Sequence, residues 1–289
     1  MKTNTITEEK ANIKYRNIDR DEILNNKYLR TSIVEDKIDI YNDIARVMAK
    51  KLVENNKKGI KTSFILPVGP RGQYKRFAHI CNTERISCRD LITINMDEFL
   101  DDRDNLIPKD HPLSFRGFMD RNLFSLLDDK LKLKHSNIFF PDPKNITLLG
   151  DLIEDMGGAD ICFGGIGING HLAFNEPICE SKIGSNEFMG LKTRILDVAK
   201  ETIIMSSLKC GGNIDLIPKR CITLGMAEIF KSKKLKFYLE HGWQHTVLIR
   251  SIFEDPKPSF PATLIKVHKN SSITISKNVL SINYDKYRY

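Results

Sequence analysis

Long hydrophobic runs are missing from this 289-residue chain. Its longest uncharged apolar stretches, Ser63–Pro70 and Ile161–Ile168, fall far short of the roughly 20 residues that a membrane helix needs. The opening MKTNTITEEK has no apolar run behind its charges, so no secretory signal is read there. Cysteine is sparse as well. None of Cys81, Cys88, Cys162, Cys179, Cys210 and Cys221 forms a C-x-x-C pair, which points to neither a disulfide framework nor a zinc site. There is no internal repeat and no low-complexity tract. These absences predict a cytoplasmic protein that does not engage the membrane.

What is present is ordinary for a globular protein. Apolar residues make up 41 % and charged residues 28 %, too apolar a balance for a disordered chain. Lys and Arg number 45 against 37 Asp and Glu, a net charge of +8. The basic residues are spread along the chain. The densest cluster, Lys231–Lys236, adjoins the apolar Phe237–Leu239 and reads as a solvated turn before a strand rather than a nucleic-acid patch. The expected partner is therefore a small molecule, and the mild positive balance suits an anionic one.

Residues 1–35 are polar and read as an N-terminal extension or peripheral helix; residues 36–289 read as a single domain. Ile38–Asn55 places Ile40, Ile44, Val47, Met48, Leu52 and Val53 at helical spacing. Tyr74–Ile80, Phe115–Leu127, Leu148–Met156, Ala227–Lys231 and His245–Phe253 also read as helices. Thr62–Val68, Asp90–Asn95, Ala159–Phe163, Arg220–Leu224, Lys236–Glu240 and Ser272–Ser276 are short apolar runs that read as strands. Buried runs alternating with helix-length segments predict an α/β fold, a mostly parallel sheet with helices on both faces.

Open α/β sheets bind ligands beyond the carboxyl ends of their strands. That rule directs attention to Val68–Gly72, Asn95–Glu98, Gly164–Glu176 and His241–His245, three of which carry residues able to transfer protons. Gly165, Gly167 and Gly170 fit G-x-G-x-x-G, but Pro177 follows too soon for the helix a dinucleotide site requires. These glycines read instead as tight turns or as places where backbone N–H groups approach a ligand. Asp97 and Glu98, taken as an arbitrary pair of acids, read as a solvated turn or a helix cap. His171 alone reads as a structural histidine. His241 and His245 lack a third metal ligand and a regular helix between them, so no metal is expected.

The runs Asn95-Met-Asp-Glu-Phe99, His111-Pro112 with Ser114-Phe115, Phe118-Met-Asp-Arg-Asn122, and above all Gly165-Ile-Gly-Ile-Asn-Gly-His-Leu-Ala-Phe-Asn-Glu-Pro177 resemble the glucosamine-6-phosphate deaminase (isomerase) family, a relative of 6-phosphogluconolactonase. Pro261–His268 resembles a late family segment, and the likeness runs from about residue 38 to 276. The resemblance implies a modified Rossmann-like fold. It also implies aldose–ketose isomerisation of an amino-sugar phosphate with loss of ammonia, without a redox cofactor or metal. Carried over by position, Asp97 matches the proton-transfer base, His171 the histidine that assists ring opening, and Glu176 its carboxylate partner. The resemblance leaves a homo-oligomer open, since family members are often oligomeric.

Departures from the family pattern gather on the phosphate. A loop of the form T-G-[GS]-T-P-x-G stands here as Val68-Gly69-Pro70-Arg71-Gly72, shorter and without its hydroxyls, and Pro70 lacks a backbone donor. The family lysine falls on His245, or on Gln244 without a one-residue shift, and the family arginine falls near Leu208–Lys209. A proton-relay acid is replaced by Asn169, whose amide still orients His171 but brings no charge. Either Arg71, with Arg116 or Lys209, has taken over the phosphate, or the substrate is unphosphorylated. A non-catalytic sugar-phosphate sensor and a lactonase-type hydrolase are the other readings. Residues 1–35 show no helix-turn-helix, and Asn175-Glu176-Pro177 speaks against the lactonase.

Overall fold

The computed structural model describes residues 20–282. A seven-stranded sheet, parallel at every pairing, forms its centre. In chain order its strands are β1 (Arg30–Val34), β2 (Thr62–Leu66), β3 (Leu91–Asn95), β5 (Ile138–Phe139), β6 (Ile161–Gly164), β9 (Leu235–Leu239) and β10 (Ser271–Ser276), arranged β1-β10-β9-β6-β2-β3-β5. A separate antiparallel sheet joins β4 (Asp97–Leu100), β8 (Arg220–Thr223) and β7 (Arg194–Asp197) in the order β4-β8-β7.

The central strands are buried along their whole length, as the apolar runs predict. Alternation then divides their side chains between two cores. Phe64, Leu66, Ile161 and Phe163 join one, while Ile65 and Cys162 join the other, because successive strand residues face opposite sides. Helix α2 (Lys37–Lys57) covers the first face, burying Ile40, Ile44, Met48 and Leu52 at helical spacing. Asp36 caps it by accepting from the backbone N–H groups of Ile38 (2.7 Å) and Asp39 (3.1 Å). Helix α3 (Gln73–Thr83) packs beside it. Before them comes the short helix α1 (Arg20–Leu24).

Two expectations change. The boundary expected at residue 36 cuts off part of the sheet: residues 30–34 pair with β10 as an edge strand. As an edge strand it is paired on one side only, and none of its residues is fully buried, in keeping with its half-polar sequence. The rest of the proposed extension, residues 1–19, lies outside the described residues. The Arg220–Leu224 strand forms, but it belongs to the antiparallel sheet, paired with a strand that begins at Asp97. That pairing places Asp97 at the open end of the central sheet, immediately beyond β3.

Candidate active site

Four consecutive central strands, β9, β6, β2 and β3, end on one side, and the segments after them enclose a cavity of about 400 Å³. From β2 come Gly69 and Arg71; from β3, Asp97; from β6, Gly165, Gly167 and His171; from β9, Glu240, His241 and Trp243. The short helix α7 (Lys200–Ser207) and its extension add Thr202, Ser206 and Lys209. Phe99, Phe115 and Phe174 form an apolar wall, with ring centroids 5.1 to 6.2 Å apart.

Asp97 is 8 % exposed, and no protein group hydrogen-bonds its carboxyl among the described residues. Burial, and then the neighbouring charge of Glu98, raise its pKa to about 8. Glu98 has the opposite character. It is fully buried and accepts from Ser114 Oγ (3.1 Å), from the backbone N–H groups of Phe115 and Arg116 (2.9 Å each), and from Arg116 Nε (3.2 Å). Those backbone groups open helix α4 (Phe115–Asn122), so Glu98 caps a helix 17 residues ahead of it in the chain. Of two adjacent acids, one is tied by hydrogen bonds to the start of α4 and the other faces the cavity without a hydrogen-bond partner among the described residues.

His171 is held through one nitrogen. Its Nδ1 lies 2.8 Å from Asn169 Oδ1, 3.2 Å from Glu176 Oε2 and 3.3 Å from Thr202 Oγ1. Asn169 Nδ2 donates to Glu176 Oε2 and Thr202 Oγ1 to Glu176 Oε1, both at 2.7 Å. Burial works to raise the Glu176 pKa, but hydrogen bonds from His171, Thr202 and Asn169 outweigh it and keep the carboxyl ionised. An acceptor set fixed on Nδ1 places the proton there and leaves Nε2 to act on a ligand. The imidazole lies flat against Gly167, where any β-carbon would overlap it. The loop turns back at Gly170 (φ 84°) and Ala173 (φ 55°).

A second group of charges stands apart from these. Arg71, Lys209 and Glu240 line the same cavity and interact electrostatically with one another. Partial desolvation in the cavity wall lowers both cations' pKa values, and repulsion from Arg71 lowers that of Lys209 further. Asp97 feels none of them: its shift comes from burial and Glu98. The cavity thus has a proton-transfer end and a cationic end.

Three residues expected at a ligand do not line the cavity. Gly72 supports Tyr41, whose ring a β-carbon would strike. Gly170 makes the turn and accepts from the Ala262 N–H (2.8 Å). His245 begins helix α9 (His245–Phe253), which turns its ring inward to Val279 O (2.8 Å). Gln244 reaches the wall, but its amide is spent on Ile166 O and on the Glu240 and His241 N–H groups. Arg116 is likewise committed to Glu98 and Ile107 O. Sequence reasoning missed Thr202, Glu240 and Trp243. Among the described residues no three His, Cys, Asp or Glu side chains group as a metal site, and no helix is long and apolar enough to cross a membrane.

A scan of protein-family models finds no match. Glucosamine-6-phosphate deaminase of Borrelia garinii, however, is 31 % identical over 248 residues, covering 82 % of this chain and 87 % of that protein. The chain belongs to the glucosamine-6-phosphate deaminase family. The deaminase of Dictyostelium discoideum is 29 % identical over 273 residues, with 90 % of this chain and 96 % of that one covered. Among solved structures, a monomeric glucosamine-6-phosphate deaminase superposes with a TM-score of 0.75 at 22 % identity, over 87 % of this chain and 98 % of its own. A 6-phosphogluconolactonase from Thermotoga maritima gives 0.60 at 16 % identity, over 86 % and 99 %. The two solved structures therefore share this fold.

Proposed function

We propose that this chain isomerises and deaminates an amino-sugar phosphate, with glucosamine 6-phosphate as the reference substrate. The carrying observation is the pairing, in one cavity, of an unpartnered carboxyl at Asp97 with a histidine tethered through Nδ1 alone.

His171 Nε2 passes a proton to or from the ring oxygen as the sugar opens. Asp97, once ionised, removes the C2 proton; the C2–H pair becomes the C1–C2 double bond while the C1=O pair moves to O1, which takes a proton from solvent, giving an enolamine. Return of the Asp97 proton to C1 uses the C1–C2 pair, the nitrogen lone pair forms C2=N, and water hydrolyses that iminium to the ketone and ammonium. The raised Asp97 pKa suits this role, because a base near the working pH both accepts and returns a proton readily. Arg71 and Lys209 at the far end bind the phosphate, in place of the hydroxyl-rich loop that this sequence lacks.

The test compares ammonia release from glucosamine 6-phosphate and from glucosamine. The proposal expects turnover of the phosphate and little of the free sugar. No ammonia from either would defeat it.

A further inference from the structure

The cationic end of the cavity contains one feature a phosphate site does not need. Glu240, the first residue after β9, is a carboxylate in the same wall as Arg71 and Lys209. His241 Nε2 holds its Oε1 at 3.2 Å. Its Oε2 is buried with no hydrogen-bond partner among the described residues. The Tyr41 phenol stands beside it, with the Arg76 guanidinium 5.4 Å from that ring. Cys210 adjoins the two cations from the segment after α7. Burial opposes ionisation of Glu240, but His241, Tyr41 and Lys209 together keep it a carboxylate.

Arg71 and Lys209 are both exposed at the cavity wall and repel each other there. Glu240, whose side chain is 12 % exposed, offsets part of that repulsion. The same charge then opposes any anion that enters, since Oε2 is covered and offers the ligand no contact in return. Arg71 and Lys209 contribute two positive charges, and Glu240 cancels one.

We propose that Glu240 is a charge-selectivity determinant of the ligand's anionic end, an internal counter-ion that weakens binding of a phosphate dianion more than of a monoanion. The inference rests on the amino-sugar-phosphate reading for its ligands, and it concerns binding rather than chemistry.

Interaction energy with a fixed charge scales with the charge of the ligand group. Glu240→Gln removes one negative charge at nearly constant shape. Its effect on log Kd should therefore follow the charge at C6 of the sugar, in the proportion 0:1:2. The probes are glucosamine, glucosamine 6-sulfate and glucosamine 6-phosphate, titrated at pH 8, where a phosphate monoester is a dianion because its second pKa is about 6. A gain of about threefold for the sulfate then predicts about tenfold for the phosphate and none for glucosamine. The unliganded variant should also melt below the wild type, and recover more on adding the phosphate.

Should Glu240→Gln not fold, the same substitution in a Lys209→Gln background, compared with Lys209→Gln alone, should give the same progression. Equal changes for all three ligands, or a gain no larger for phosphate than for sulfate, would overturn the proposal, as would failure of the wild type to bind either anion. Ammonia release separates the two readings. The 0:1:2 progression without ammonia keeps the role of Glu240 and removes the deaminase; ammonia without the progression does the reverse.

Discussion

Thr202 Oγ1 donates to Glu176 Oε1 at 2.7 Å and stands 3.3 Å from Nδ1 of His171. One hydroxyl thus fixes the carboxylate and borders the imidazole that the carboxylate orients. Thr202 is a positioning residue rather than a reacting one. A buried acceptor left without its donor costs about 1–3 kcal/mol, so Thr202→Val should lower kcat by about tenfold or more with KM little changed. Thr202→Ser, which keeps the hydroxyl, should recover most of that loss. Steady-state ammonia assays on the pair check this.

Gly167 makes room for the histidine. A β-carbon there would overlap the imidazole, so Gly167→Ala must push His171 off its Nδ1 acceptors. Misplacing a catalytic group by about 1 Å can cost about 100-fold, and kcat should fall on that scale. Gly184→Ala is the control: a β-carbon at Gly184 meets nothing within 4 Å, and activity and Tm should hold.

Asp97 sets a pH dependence with a definite sign. Its pKa in the folded chain is raised to about 8, so the carboxyl is mostly protonated at neutral pH in the free protein. A base must be ionised, so kcat/KM should rise with pH and level off above about 8. The pH profile of kcat/KM reads the free enzyme directly.

The same shift makes Asp97 a stability liability. Below about pH 4 the folded and unfolded chains both hold its proton. Between 3.8, the ordinary value, and about 8 the folded chain keeps a proton that the unfolded chain has lost. Stability from this group is therefore fully present below the unfolded pKa and is lost as pH rises, by about 1.4 kcal/mol per pH unit within the window. Asp97→Asn carries no such loss. Its advantage over wild type in denaturant titrations should grow from pH 5 to pH 8 and then stop growing. A pH-independent difference would contradict the burial-driven shift.

Much of this was legible in the sequence, for physical reasons that differ by element. The runs in β2, β3 and β6 are mostly apolar and buried throughout because both faces are covered, and α2 shows its buried stripe at helical spacing. β4 was illegible as a strand. Asp97 and Glu98 read as solvated, yet both are buried, one at the cavity and the other at the start of α4. No local pattern reports a helix cap supplied from 17 residues upstream. The loops to search followed from the strand ends, and Asp97, His171, Arg71 and Lys209 do meet in one cavity. Within the last loop the family lysine position falls on His245, but α9 starts at that residue and turns its ring to Val279 O, while Glu240 and His241 line the cavity. Thr202 sits on a short helix without a marked apolar face, and only tertiary structure brings it to Glu176.

Asp97 as the group that moves the C2 proton is the centre of the proposed chemistry. Glucosamine 6-phosphate deuterated at C2, incubated with wild type and with Asp97→Asn, tests that step without relying on the later loss of ammonia. The wild type should wash deuterium out of C2 into solvent or carry it to C1. Asp97→Asn should bind the sugar phosphate with nearly unchanged affinity and leave the label in place. Loss or migration of the label at an undiminished rate in that variant would show that another group is the base.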